Sequence, residues 1–554
     1  MISRALLSTF EDTVHDQFQA TARRYPDHPF LLIPRSACRH YADDAISYTY
    51  RAAAARIGQL REQYAAAGLG LGHRVALMFE NRPQYFFHWF ALNAVGASVV
   101  PLNPDYRHAE LCHVLMHSEA CLAVGLTERL AEMRQAIDLK GLAVVVQDEE
   151  GVLAGLPFFT TAATPPGSHS GPQRECALLY TSGTTGSPKG CLLSNEYFLR
   201  SGLRYMNRRG YVELEMGCSR ILTPLPMFHI NAMAGSTMGA IFCGGCLIQL
   251  DRFHPSSWWQ DAVESGATGA HCLGIMPALL LKLPPSRYEH VHQLRYCTAA
   301  NVEPQHHAAF EERFGVPLIE GWSMTETGAG AAISADTEPR HIGERCFGRP
   351  SDSIQLRLVD DNGHDVPPNQ AGEMLVRSTS DDPRQGFFSG YLKDAAATEA
   401  GWAQAWWHTG DIVRRGDDGS LYFVDRKNNL IRRSGENISA LEVEVLLRGH
   451  PAIHEVAVTS VADEVRGEEV FTFVRLAEGH TSSLPLAREL AIWVGNRLAY
   501  YKIPGYWAFV PTLPVTATQK IERGRLRRLA GEMAGSTASH DLRNLKTELR
   551  KNRL

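Results

Sequence analysis

The run CALLYTSGTTGSPKGCLLSNEYF, residues 176–198, sets Gly183, Gly186 and Gly190 among the hydroxyls of Ser182, Thr184, Thr185 and Ser187 and ends its polar part on Lys189. It excludes one common solution at once. The usual nucleoside triphosphate loop needs a glycine five residues after the first, then Lys followed by Ser or Thr. Here that place holds Pro188, and Lys189 is followed by Gly190. Pro188 also keeps the residue before it extended, which disfavours a helix opening straight from the loop. Ala177–Tyr180 and Cys191–Leu193 are short apolar runs of strand type on either side. The stretch therefore predicts a glycine-rich hairpin whose backbone N–H groups and hydroxyls can donate to anionic oxygens. Taken alone, such a turn is usually just a turn.

The rest of the chain reads as layered α/β structure. Residues 74–102, RVALMFENRPQYFFHWFALNAVGASVVPL, give a strand at Val75–Met78, a proline-opened helix over Arg82–Val95 and a strand at Ser98–Leu102. Parallel packing of those strands is the natural outcome. The Pro, Gly and Ser content of 161–175 marks a surface connection, and strand and helix alternate again from Ile221 to Phe314. Between about Gly343 and Val424 the texture shifts to short strands and Gly/Asp turns, which predicts an antiparallel β subdomain. A polar segment after Asp425, RKNNLIRRSGEN, precedes a fresh helix–strand–helix pattern, and the basic ending SHDLRNLKTELRKNRL reads as a solvated terminal helix.

At 554 residues the chain has room for several domains. A net charge of -5 argues against a surface built for nucleic acid, so any anion site must be local. Glu11, Asp12 and Asp16 fall where a secretion signal needs an apolar segment, and no apolar run has spanning length, so a cytoplasmic protein without a transmembrane segment is expected. Eleven cysteines are then expected as reduced thiols, with Cys243 and Cys246 flanking a tight hairpin at Gly244–Gly245.

The order T-S-G-T-T-G-x-P-K-G resembles the phosphate loop of the adenylate-forming superfamily, which includes acyl-CoA synthetases, peptide-synthetase adenylation domains and luciferases. Further motifs follow in that superfamily's order. They are GWSMTE at 321–326, GRP at 348–350, GY at 390–391, HTGD at 408–411, DRKNNLIRRSGENIS at 425–439 and LPVTATQKIERGRL at 513–526. The likeness runs from about residue 29 to 528, and the 425–439 segment is similar to the crotonobetaine/carnitine-CoA ligase branch. It implies an α/β fold with a large N-terminal domain of mixed α/β layers plus a β subdomain, and a small mobile α+β C-terminal domain. The implied boundaries are 1–426 for the ATP- and acyl-binding domain, 427–530 for the mobile domain and 531–554 for a basic tail.

Adenylation brings a carboxylate to the α-phosphate of ATP and expels pyrophosphate, so the site must gather anions and neutralise charge. By resemblance, Thr181, Ser182, Gly183, Thr184, Thr185, Gly186 and Lys189 hold the β and γ phosphates. Glu326 would ligate Mg²⁺, shared with Thr185 or Thr184, and Thr325 belongs to the same ATP segment. Trp322 stands where a Tyr or Phe stacks on adenine, while Asp411 and Arg426 would bond the ribose. Lys520 would bridge the carboxylate and the α-phosphate as the principal catalytic side chain. Asn428, where the superfamily more often has Asp or Lys, is the implied hinge, and Arg433, Ser434 and Gly435 would meet CoA after rotation.

The segment PLPMFHINAM, 224–233, resembles the one whose His borders the acyl pocket, which makes His229 a further catalytic candidate. Amino-acid-activating domains usually carry Asp at that position. Asn231, Gly274, Ala300 and Ser323 complete the implied pocket, and Ser323 in place of the more common glycine narrows it. These features predict an AMP-forming acyl-CoA ligase with ATP, CoA and a compact short or medium, aromatic or betaine-type acid as substrates. Two alternatives are an adenylating enzyme that loads a carrier protein and a nucleotide-binding protein that has lost catalysis. The sequence does not specify an oligomeric state.

Overall fold

The structure, a computed structural model, describes residues 10–129, 133–135, 143–146, 153, 155–160, 171–181, 188–300, 302, 304–360, 362–426, 431–438, 440–514, 521 and 523–551. The chain divides into two compact units. One takes 1–104, 115–179 and 190–424, and the other takes 105–114, 180–189 and 425–554.

The strand–helix–strand reading of 74–102 is matched by strands Arg74–Met78 and Ser98–Pro101, paired in parallel around the helix Pro83–Val95. Pro83 opens that helix and Gly96, at φ 96°, closes it in the left-handed conformation. Its apolar residues run around the whole circumference, so Phe86, Trp89, Phe90 and Leu92 are all fully buried. Burial of each such side chain stabilises the fold by about 1.5–3 kcal/mol. The same sheet contains β1 (Glu175–Thr181) next to β2 (Lys189–Ser194), the two strands expected beside the glycine-rich loop. Helix α1 (Asn195–Asn207) leaves β2 directly, capped by the Ser194 hydroxyl on the Tyr197 N–H.

A second sheet carries β3 (Arg220–Thr223), β4 (Gly269–His271), β5 (Cys297–Ala299) and β6 (Leu318–Trp322), neighbours in that order and parallel throughout. The short β7 (Ile333–Ser334) closes its edge antiparallel to β6, with Gly321 opposite Ser334. Between β3 and β4 a π-helical turn over Asn231–Ser236 runs into the helix Thr237–Cys243. That helix corrects the hairpin expected at Cys243–Cys246: Gly244 is a helix C-cap at φ 64°, and Cys246 opens the strand Cys246–Gln249. All eleven cysteines are free, and Cys218 is the exposed one. A third sheet, antiparallel over its described pairs, contains Cys346–Gly348, Ile354–Val359, Ala371–Ser378, β8 (Trp407–Arg415) and Leu421–Arg426, as the turn-rich texture of that region predicts.

The second unit is built on the long hairpin of β9 (Ile453–Asp463) and β10 (Gly467–Leu476), with Tyr506–Phe509 parallel to β10. Its core includes Val470, Leu490, Val494 and Trp507. The final helix α2 (Arg543–Lys551), expected to be solvated, instead buries Leu545 and Lys546. Lys546 donates to Glu469 at 2.7 Å, and the buried Arg433 donates to the other oxygen of the same carboxylate at 2.7 Å. Among the described residues, no helix is long and apolar enough to cross a membrane.

Candidate active site

Parallel sheets bind ligands beyond the carboxyl ends of their strands, where loops and strand ends converge. Four adjacent parallel strands place the predicted residues at that edge. His229 and Asn231 follow β3, Gly274 follows β4, Ala300 follows β5, and Trp322 and Ser323 end β6. Gly274 and Ala300 are joined directly, the N–H of Gly274 donating to the carbonyl of Ala300 at 3.0 Å. Asn231 and Ser323 are exposed and His229 is partly buried, with its backbone N–H on the Pro226 carbonyl at 3.0 Å.

Two residues read from sequence as nucleoside contacts are joined by a hydrogen bond across 89 residues of chain. The indole Nε1–H of Trp322 donates to Oδ2 of Asp411 at 2.8 Å, and both side chains are buried. Asp411 reaches this place through an irregularity in β8. Three residues, Thr409 to Asp411, face the single Met374 of the neighbouring strand, with Gly410 at φ 68°. Such bulges re-aim side chains. The Thr409 hydroxyl fixes this one by donating to the Met374 carbonyl at 2.6 Å and accepting the Asp411 N–H at 3.1 Å.

Four residues beyond Trp322, Glu326 is buried with its Oε1 accepting from the Tyr391 hydroxyl at 2.8 Å. Burial first, and then the Glu326 carboxylate, hold the Tyr391 phenol well above its usual range, so it stays a donor. No cluster of three metal-ligating side chains exists among the described residues. Mg²⁺ needs none, since one carboxylate plus substrate phosphates can hold it. Glu326, tethered through one oxygen, fits that demand. The neighbouring Thr325 is partly buried, and its carbonyl accepts from Tyr197 of α1 at 2.9 Å.

Sequence reasoning passed over a buried pair that joins the π-helical turn to the end of β4. Ser236 in the π-helical turn lies 2.6 Å from Nδ1 of His271 at the end of β4, and the Tyr205 ring of α1 is 5.6 Å from that imidazole. Burial first, and then Arg208, lower the His271 pKa to about 3, so the ring is neutral. Nothing in the motifs signals these residues, because they meet only through packing between elements.

Thr181 and Lys189, the strand ends beside the glycine-rich loop, are partly buried. Ser182, Gly183, Thr184, Thr185 and Gly186 lie outside the described residues, as do Asn428 and Lys520. Arg426 ends its strand, and its side chain is likewise outside them. In the second unit, Ser434 and Gly435 form the exposed two-residue turn between Ile431–Arg433 and Glu436–Ile438, at φ 50° and 88°. Positive φ at both positions is the signature of a type I′ hairpin turn. The buried Arg433 guanidinium, read from sequence as part of the same loop, pairs with Glu469 inside this unit.

Residues 18–392 match the family model described as AMP-binding enzyme, and residues 442–520 match the AMP-binding enzyme C-terminal domain. The chain is 32% identical over 523 residues to the sulfoacetate–CoA ligase of Cupriavidus necator, covering 93% of this chain and 97% of that protein. It is 30% identical over 499 residues to the crotonobetaine/carnitine–CoA ligase of Shigella flexneri, covering 87% and 93% respectively. Its fold matches that of o-succinylbenzoate CoA synthetase from Bacillus subtilis with a TM-score of 0.77 at 22% identity, over 94% of this chain and 99% of that one. The chain thus belongs to the AMP-binding enzyme family of adenylate-forming enzymes, as an AMP-forming acid–CoA ligase.

Proposed function

We propose that the enzyme activates a compact carboxylic acid in two steps. The acid's carboxylate oxygen attacks the α-phosphate of ATP, forming an acyl-adenylate and releasing pyrophosphate. The CoA thiol then attacks the acyl carbon, and AMP leaves with the former carboxylate oxygen as the thioester forms. The hydrogen bond between Trp322 and Asp411 carries this reading, because it joins a flat apolar face for adenine to a buried carboxylate able to accept from ribose hydroxyls. Arg426 donates to the same ribose, and Thr181 to Gly186 with Lys189 hold the departing pyrophosphate. Glu326 would hold Mg²⁺, which neutralises phosphate charge when bound. His229, Asn231, Gly274, Ala300 and Ser323 line the acyl pocket.

Lys520 stabilises charge at the α-phosphate in the first step. Unit charges about 3 Å apart interact by roughly 5 kcal/mol at an effective dielectric of about 20, part of which is already present in the ground state. A net loss of about 3–4 kcal/mol would slow adenylation by on the order of 10² to 10³. The domains 1–426 and 427–530 rotate about Asn428 between the steps, withdrawing Lys520 and presenting the Ser434–Gly435 turn to CoA. Lys520→Ala is therefore expected to lose pyrophosphate exchange while keeping thioester formation from supplied acyl-adenylate. Equal loss of both would overturn the two-conformation reading. Thioester formation with CoA and no carrier protein separates this function from the carrier-loading alternative.

The relatives' names leave the acid open. Sulfoacetate carries an anion opposite its carboxylate, whereas carnitine and crotonobetaine carry a trimethylammonium group. The sign of the charge facing the far end of the pocket distinguishes these classes.

A further inference from the structure

We propose that Arg204 of α1 binds a second anionic group at the far end of the substrate, making this a ligase for compact dianionic acids such as dicarboxylates or sulfocarboxylates. The inference rests on the reading of this edge of the sheet as the acyl site.

Arg204 belongs to one stripe of α1 and its C-terminal extension, with Tyr197, Ser201 and Arg208 at helical spacing. Contacts on either side of it fix where the stripe faces. Tyr197 donates to the carbonyl of Thr325 at 2.9 Å. Arg208 donates to the hydroxyl of Ser334 at 3.3 Å, and Ser334 pairs with Gly321 on β6. Arg204 therefore lies alongside Gly321–Thr325, the segment that contains Ser323. The same helix packs on the π-helical turn that begins with Asn231. A Cβ added at Gly235 would come within 2.9 Å of the Tyr205 hydroxyl, so the two elements leave no room for a larger residue there. The face of α1 that carries Arg204 is thus flanked by the elements that carry the predicted acyl residues.

Its charge has no direct counter-ion. Arg204 is partly buried and makes no hydrogen bond or ion pair with any described residue. Arg208, one turn on, already takes the nearby carboxylate, Asp336, at 3.8 Å. Two guanidiniums thus share one carboxylate, and His271 adds no charge because it is neutral. Burial first, and then Arg208, lower the Arg204 pKa to about 10, which still leaves it protonated at neutral pH. The ordinary reading of such a residue is a solvated arginine favoured by the negative end of its helix. A solvated arginine would be exposed, and a helix dipole is only a partial charge that cannot replace a counter-ion. A partly desolvated cation with no direct ion pair is costly, and its planar fork of N–H donors matches a carboxylate or sulfonate in two parallel hydrogen bonds. Ser323 keeps the acid short, and an excess positive charge disfavours a betaine.

The test uses the full chain with ATP, Mg²⁺ and CoA and measures AMP release. Malonate, succinate and sulfoacetate are compared with propionate, butyrate and γ-butyrobetaine. The diacids are expected to exceed length-matched monoacids by at least about 100-fold in kcat/KM, about 2.8 kcal/mol of discrimination. Arg204→Met should reduce that ratio to below about 10, chiefly through KM, and Arg204→Lys should retain an intermediate value. A preference for monoacids or betaine, or a ratio unchanged in Arg204→Met, overturns the proposal. Thermal shift with malonate, succinate or sulfoacetate alone gives a second readout independent of turnover. Stabilisation of the wild type that is lost in Arg204→Met sustains anion binding even if no acid releases AMP, in which case the ligase reading is what fails. The absence of any stabilisation by all three in the wild type overturns the anion site. Melting of both variants without ligand identifies any general loss of folding.

Discussion

An indole N–H held 2.8 Å from a buried carboxylate does two things for a nucleotide site: it fixes the aromatic plane and orients the acceptor beside it. Trp322→Phe keeps the flat face and removes the donor. Leaving a buried charged acceptor one hydrogen bond short costs about 1–2 kcal/mol, which predicts a rise of about 5- to 30-fold in the KM for ATP in pyrophosphate exchange. An unchanged KM would remove Asp411 from the ribose contact. Both residues were legible in sequence through their motifs, but the bond between them was not. It depends on which way an indole points and on a bulge in β8, and neither leaves a periodic signal. Arg204 was invisible for a related reason, since an arginine in the last turn of a helix is ordinary until its packing is known.

At the scale of elements, the helix Pro304–Phe314 is tied to β6 through a buried charge cluster rather than through apolar contact alone. His307 lies 3.3 Å from both Glu311 and Glu320, and Arg340 also pairs with Glu311. Burial opposes protonation of His307, but the two carboxylates outweigh it and raise its pKa from 6.5 to about 9. The folded state therefore holds the proton more tightly than the unfolded chain. The stability this provides is complete below about pH 6.5 and is lost as pH rises through about 9. Such a shift corresponds to about 3 kcal/mol, part of which is offset by Glu320, whose pKa burial raises. Thermal unfolding of the large unit should shift to lower temperature between pH 7 and 10, and His307→Gln should flatten that dependence. An equally steep profile in the variant would assign the loss to other groups. Elements with strong local signals, such as the proline-opened helix Pro83–Val95 with its Gly96 cap, were readable from sequence. The Cys243–Cys246 turn was not, because a short helix and a strand are both plain apolar runs before a pair of glycines.

At the scale of the whole molecule, the order of the motifs along the chain identified the family, while the sheet edge where His229, Gly274, Ala300 and Trp322 converge required the strand order. That order brings together residues from loops separated by dozens of positions. The cysteines show the same dependence on three dimensions. Eleven are scattered through the sequence, and burial pushes Cys121 and Cys246 up to about 11 and Cys176 and Cys243 up to about 12. Only Cys218 is exposed. A thiol reagent at pH 7.5 should accordingly show one fast phase, about one equivalent, which Cys218→Ser abolishes, with the partly buried Cys112, whose thiol burial also pushes up, reacting more slowly. Several fast equivalents in the native protein would contradict the burial. Cys218 is thus a native attachment point for a fluorophore on the first unit, and with the partly buried Cys112 of the second unit replaced by serine, one engineered cysteine there suffices to follow the movement proposed to separate the two half-reactions.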